Sequence, residues 1–217
     1  SNVTNMGWMF YGCRNLEVID ISQWNVSNVT VMSHMFADCN KVKELKVDNW
    51  NVSKLQSMDA TFNDCDSLTT INVSKWNTGN VREFSQTFDG CDNLAQVIGL
   101  ENWNTSNGNS FDETFMNCTS LKELNLSGWD TRNAKYGNKH LNGDISEGFS
   151  LTFNGVTNLT KLTLGENFDF DGNGTVTKVA NLPNPAAIDG QTTHWYNAAN
   201  DTYYTASEIP SSTAATY

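Results

Sequence analysis

Cysteine is the most reactive side chain in this sequence, and it recurs as Cys13, Cys39, Cys65, Cys91 and Cys118. Thiolates bind metals or pair as disulfides, but a tetrahedral metal site needs converging ligands and no C-x-x-C pair is present. The five form a column; disulfides between neighbouring rungs are one alternative, but a helix face shared with Phe and Met predicts buried free thiols acting as small hydrophobes. The histidines His34, His140 and His194 are scattered, with no H-E-x-x-H, no G-x-S-x-G and no phosphate-binding glycine loop. His34 falls at a repeat position filled elsewhere by Ala60, Gln86 and Glu113, which marks a variable surface site. This inventory predicts no enzyme and no cofactor. Asp169, Asp171 and Asn173 open a calcium-loop pattern, yet Ala180 stands where the bidentate glutamate belongs, so a turn competes with a weak metal site.

The elements that must position these side chains follow from a repeat. Phe10, Phe36, Phe62, Phe88 and Phe115 recur every 26 residues, with one extra residue before the last. Each cysteine lies three positions after its Phe; Trp24, Trp50, Trp76 and Trp129 lie fourteen after it, and Trp103 fifteen. Between Cys and Trp runs an L-x-x-L-x-L pattern, as in Leu121, Leu124 and Leu126, that reads as a half-buried strand. Val97-Ile98-Gly99 carries the extra residue and reads as a bulge or widened turn. After each Trp, turn formers such as Asn25 to Asn28 reverse the chain. The spacing of Val29, Met32, Phe36 and Cys39 then predicts a short helix capped by Thr30 or Ser33.

One strand–turn–helix unit cannot bury its apolar face alone, so the units must stack. The expected fold is an α/β repeat: a leucine-rich-repeat-type right-handed solenoid with one parallel sheet and short helices. It occupies residues 1–180 as about six units, the sixth displaced by a polar insertion at 135–146. Residues 181–217 should cap the open end, with a short hairpin around His194 to Tyr196 and Thr202 to Thr205. Trp195, Tyr196, Tyr203 and Tyr204 are expected to cover the last rung. In such a stack the tryptophans form an internal spine rather than an exposed sugar-stacking track.

The net charge of −11 argues against nucleic acid or anionic lipid as main partners. No run of about 20 apolar residues exists, so direct membrane insertion is not expected. The chain opens with Ser1-Asn2-Val3 in mid-repeat and without a signal peptide, which reads as a cut inside a longer protein. The outward strand positions are where a repeat protein binds, and Asp20, Lys46, Asp48, Asn72, Glu101 and Asn125 are the candidates. Lys135, Tyr136, Lys139 and His140 of the insertion join them. These residues are small or charged, which suits a glycan or a weak, multiplied protein contact.

The unit from Trp24 to Cys39 and the segment Leu121 to Thr131 resemble the repeats of BspA-like leucine-rich repeat surface proteins, a likeness running from residue 1 to about 168. The tail from Trp195 to Ile209 resembles the segment that follows such arrays in lactic-acid-bacterial members. The resemblance implies an extracellular, wall-associated or secreted bacterial protein. It also implies adhesion to host or neighbouring-cell glycan or extracellular protein. A structural spacer or stalk presenting another domain away from the wall is the alternative, and the fragment is expected to be monomeric.

Overall fold

A computed structural model describes residues 2–134, 151–169, 182–183, 194–197, 202–205 and 215–216. Among them the rungs stack in register around one apolar interior. The Phe rings lie nearly parallel, with centroids 5.3 Å apart for Phe10–Phe36, 5.6 Å for Phe62–Phe88 and 6.1 Å for Phe115–Phe153. The indoles of Trp50, Trp76, Trp103 and Trp129 stack at 6.4, 6.3 and 6.0 Å. Burying each such ring contributes about 1.5–3 kcal/mol.

The expected leucine-rich-repeat solenoid, with a helix in each unit and one parallel sheet, is not what forms. No α-helix occurs among the described residues, and the strands are short and split between small sheets. The segment read as a helix is a ladder of overlapping turns. In the second rung the N–H groups of Met35, Ala37 and Cys39 donate back to the carbonyls of Met32, His34 and Phe36. The alternate N–H groups, of His34, Phe36 and Asp38, donate instead to Asp59, Thr61 and Asn63 of the next rung, at 2.8, 2.9 and 2.9 Å. Two left-handed residues per rung impose this path. One column is Trp8, His34, Ala60, Gln86, Glu113 and Leu151; the other is Gly12, Asp38, Asp64, Gly90, Asn117 and Gly155. A backbone that turns left-handed twice in five residues cannot continue as a right-handed helix. Thr30 and Ser33 cap nothing: their hydroxyls bond the Thr4 carbonyl and the Ser57 hydroxyl.

Parallel bridges Asn5↔Val31, Val31↔Ser57, Ser57↔Glu83 and Glu83↔Ser110 precede the turn ladder, one per rung. On the opposite side β1 (Thr70–Asn72) pairs in parallel with β2 (Gln96–Ile98), and β3 (Glu123–Leu126) with β4 (Lys161–Leu164). Gly99, at φ 95, interrupts the sheet and leads into a single 3-10 turn, Leu100–Asn102. A Cβ there would strike the Ser74 backbone, so only glycine fits. In the tail β5 (Trp195–Asn197) and β6 (Thr202–Tyr204) form an antiparallel hairpin, while β7 (Ala215–Thr216) pairs with β4. Trp195 and Leu182 are buried in the same core as the repeats, and the Trp195 indole donates to the Pro183 carbonyl at 3.1 Å. Tyr196 and Tyr203, expected to cover the last rung, are exposed and pack against each other at 5.0 Å.

Candidate functional site

The strand side presents the outward columns, and the structure divides its candidates by what each side chain already does. Asp20 accepts hydrogen bonds from the Ser22 N–H and hydroxyl at 3.1 and 2.7 Å, and Asn72 does the same for Ser74. Asn125 accepts the Ser127 N–H at 3.2 Å. These are Asx turns, in which a short side chain stands in for a backbone carbonyl and closes the turn. The bonds from Ser22 hold the Asp20 carboxyl below its ordinary range. All three therefore shape the edge of the face, whatever else they touch.

Lys46 is exposed, with Glu44 at 3.7 Å, and Asp48 is half-buried 4.0 Å from Lys75. Lys43 reaches across the rung to Glu17 at 3.4 Å, and Lys161 to Glu123 at 3.3 Å. Glu101 is exposed on the 3-10 turn. Exposed ion pairs of this kind contribute little to stability and leave their charges accessible. A shallow groove of about 370 Å³ runs between the first two rungs, bordered by Glu17, Ile19, Asp20, Lys43 and Lys46. Lys135, Tyr136, Lys139 and His140 lie outside the described residues, as do Asp171 and Asn173. Among the described residues no three His, Cys, Asp or Glu side chains converge as metal ligands.

The cysteine and tryptophan columns serve the interior. Cys39, Cys65, Cys91 and Cys118 are buried and unpaired as disulfides; each thiol donates to the carbonyl of the preceding rung's Phe, at 3.2, 3.3, 3.0 and 2.9 Å. Cys13 is exposed, while burial pushes the Cys39 thiol up to about 11. The indole N–H groups of Trp50, Trp76 and Trp129 donate to Ile21, Val47 and Leu100 carbonyls. Trp103, in the rung with the inserted residue, has no acceptor for its buried N–H.

Sequence reasoning overlooked the polar interior of the turn side. Thr61, Thr87 and Thr114 are fully buried and bond two carbonyls each, one in their own rung and one in the rung before. Asp89, Asp112 and Glu113 are also buried. Asp89 accepts the Asn63 side-chain N–H at 3.3 Å through one oxygen, and its other oxygen has no hydrogen-bond partner. Burial, with Glu113 and Asp64 nearby, raises its pKa to about 7. His34, expected at a variable surface site, is half-buried between the Trp8 ring and Asp59.

The model of one protein family, described as "Mycoplasma protein of unknown function, DUF285", matches residues 1–96 and, in a second overlapping match, 56–148. No curated protein and no solved structure matches the chain.

Proposed function

The chain belongs to the DUF285 family, and from that premise we propose that it is an extracellular binding module. It is displayed on a bacterial wall or secreted, and its strand side contacts glycan or protein on a host or neighbouring cell. The observation that carries this reading is a contrast within the repeat. The interior columns keep Phe in all six rungs and Cys and Trp in the first five, with Val156 and Phe168 in the sixth, whereas one outward column reads Val18, Glu44, Thr70, Gln96, Glu123, Lys161. Packing explains the constancy of the first set, and nothing in the packing demands the variety of the second. The likeness of the units to BspA-like leucine-rich repeat surface proteins supports a place outside the cell. The net charge of −11 favours neutral or cationic partners over nucleic acid. The reading involves no catalytic step and no cofactor.

Arrays of glycans and extracellular-matrix proteins test it, probed with the whole chain, with a Lys43→Glu/Lys46→Glu variant, and with a chain lacking residues 135–146. Binding that falls at least tenfold in either altered chain supports a recognition surface. Binding by none of the three, with all of them folded, would return the molecule to the spacer reading.

A further inference from the structure

Two columns of asparagine run along the turns that follow the Trp residues, and they are held in opposite ways. Asn51, Asn77 and Asn104 accept the N–H groups of Ser53, Gly79 and Ser106 through Oδ1, at 3.1, 3.2 and 3.1 Å. In the column three residues further on, Asn80, Asn107 and Asn133 donate through Nδ2 to the carbonyls of Ser53, Gly79 and Ser106 in the preceding turn, at 2.7, 2.7 and 2.8 Å. All six side chains are exposed. Among the described residues, no acceptor takes the Nδ2 hydrogens of the first three and no donor reaches Oδ1 of the second three. The result is a row of amide donors beside a row of amide acceptors, both at the spacing of the rungs, about 4.8 Å for parallel-paired backbone.

The backbone beneath these rows is tied down. The turns close through the N–H groups of Leu55, Val81 and Gly108 on the carbonyls of Val52, Thr78 and Thr105, at 2.9, 2.8 and 2.7 Å. The buried Thr78 and Thr105 hydroxyls donate to the carbonyls of Asn104 and Asp130 in the following turn, at 3.0 and 2.9 Å. The turns of Asn51, Asn77 and Asn104 lie inside the stack, between those of Asn25 and Asp130. The fold does not need the amide at either position. Asp130 closes the same turn with a carboxylate, accepting the Arg132 N–H at 3.2 Å, and Lys54 of the second column crosses to Asn28 at 2.7 Å. What Asn offers in the first column, and Asp does not, is the pair of Nδ2 donors.

We propose that the two rows bind a linear β-1,4-linked glycan laid along the stack. Its hydroxyl oxygens accept from Asn51, Asn77 and Asn104, and its hydroxyl groups donate to Asn80, Asn107 and Asn133. Such a chain is extended and uncharged, and it advances per sugar by nearly the spacing of the rungs, so one register serves successive sugars. An extended polypeptide advances about 3.3 Å per residue and falls out of step. The net charge of −11 opposes both a polyanion and a second copy of this chain. Amides already fixed at one end lose little freedom when the other end is bound. These turns are separate from the strand-side columns, and the site stands or falls independently of the function proposed for that side.

The test removes the donors and keeps the turns, with Asn51→Asp/Asn77→Asp/Asn104→Asp after the pattern of Asp130. Oligosaccharides of β-1,4-linked glucose and of β-1,4-linked N-acetylglucosamine, two, four and six sugars long, are titrated calorimetrically into the whole chain, this variant and Lys43→Glu/Lys46→Glu. We expect the hexasaccharide of at least one series to bind, about tenfold more tightly than its disaccharide because it spans more rungs. The triple variant should bind that hexasaccharide at least tenfold more weakly with an unchanged unfolding midpoint, and Lys43→Glu/Lys46→Glu within twofold of the unaltered chain. Should the triple variant fail to fold, the length dependence in the unaltered chain decides alone. Absence of binding by both hexasaccharides, undiminished binding in the folded triple variant, affinity independent of length, tighter binding of an extended decapeptide, or self-association that the triple variant abolishes would each overturn the proposal.

Discussion

The two long sides of this stack achieve regularity by different means. On the turn side the backbone carries it: alternate N–H groups cross to the next rung, as from His34, Phe36 and Asp38 and again from Ala60, Phe62 and Asp64. On the strand side the interior carries it, through Leu and Trp columns, while main-chain pairing is confined to β1–β2 and β3–β4 among the repeats. The corresponding segments of the first two rungs form no strand. A side held by its own backbone can bury polar groups such as Thr87 and Asp89, and a side held from within is free to vary what it shows.

The contrast breaks most visibly at a stacked ring. Phe88→Ala removes a fully buried ring that stacks on Phe62 and Phe115, and should cost about 3–5 kcal/mol in denaturant unfolding. Lys46→Ala on the strand side should stay within about 0.5 kcal/mol. Equal costs would erase the distinction between the two sides.

Next in size is the buried carboxyl. Because the pKa of Asp89 rises from 3.8 to about 7 on folding, the folded chain holds this proton more tightly than the unfolded chain does. The contribution of this group to stability is therefore most favourable below about pH 4 and worsens until about pH 7. Asp89→Asn should flatten that fall, by roughly 2–4 kcal/mol at neutral pH. Parallel stability–pH curves for the two proteins would show that Asp89 is solvated as an ordinary carboxylate.

A smaller effect sharpens the comparison by its sign. Asp64 sits at φ 53 in the column that Gly12, Gly90 and Gly155 also occupy. Asp64→Gly should stabilise by about 0.5–1 kcal/mol, whereas in a helix the change would destabilise by a similar amount. A loss of stability would favour the helical reading of this segment. Smallest in stability terms, a thiol reagent should label Cys13 quickly and the four buried cysteines only on unfolding, with five free thiols in the denatured, unreduced chain. Two or more fast thiols in the folded chain would mean that the turn side opens readily.

The columns were legible in the sequence because Phe, Cys and Trp sit at fixed offsets that no other arrangement explains. The turn ladder was not, for a specific reason. Val29, Met32, Phe36 and Cys39 have helical spacing, and overlapping three-residue turns reproduce that spacing while burying the same four side chains. The distinguishing signal was present in Gly12, Asp38, Asp64, Gly90, Asn117 and Gly155, a column confined to types that tolerate a left-handed backbone. The other left-handed column, with Trp8, Ala60 and Leu151, contains no such hint. On the strand side Asp20, Asn72 and Asn125 stand at outward positions, which makes them binding candidates in the sequence. The serine two residues after each is what marks them as turn-formers. Burial of Asp89, Asp112 and Glu113 depends on what the neighbouring rungs place over them, which no single unit records.

The main-chain bonds that cross between rungs join nearest neighbours, and this gives the molecule a mechanical character. A tether pulled from both ends along the stack would load these bonds rung by rung and not as one sheared sheet, so an end rung should peel before its neighbour yields. Release of a 26-residue rung frees about 85–95 Å of contour length, and the rung that carries the 135–146 insertion frees more. A force trace would then show a train of small steps, nearly equal for the first four rungs and longer at the insertion, extending the chain under load while the remaining rungs hold their shape.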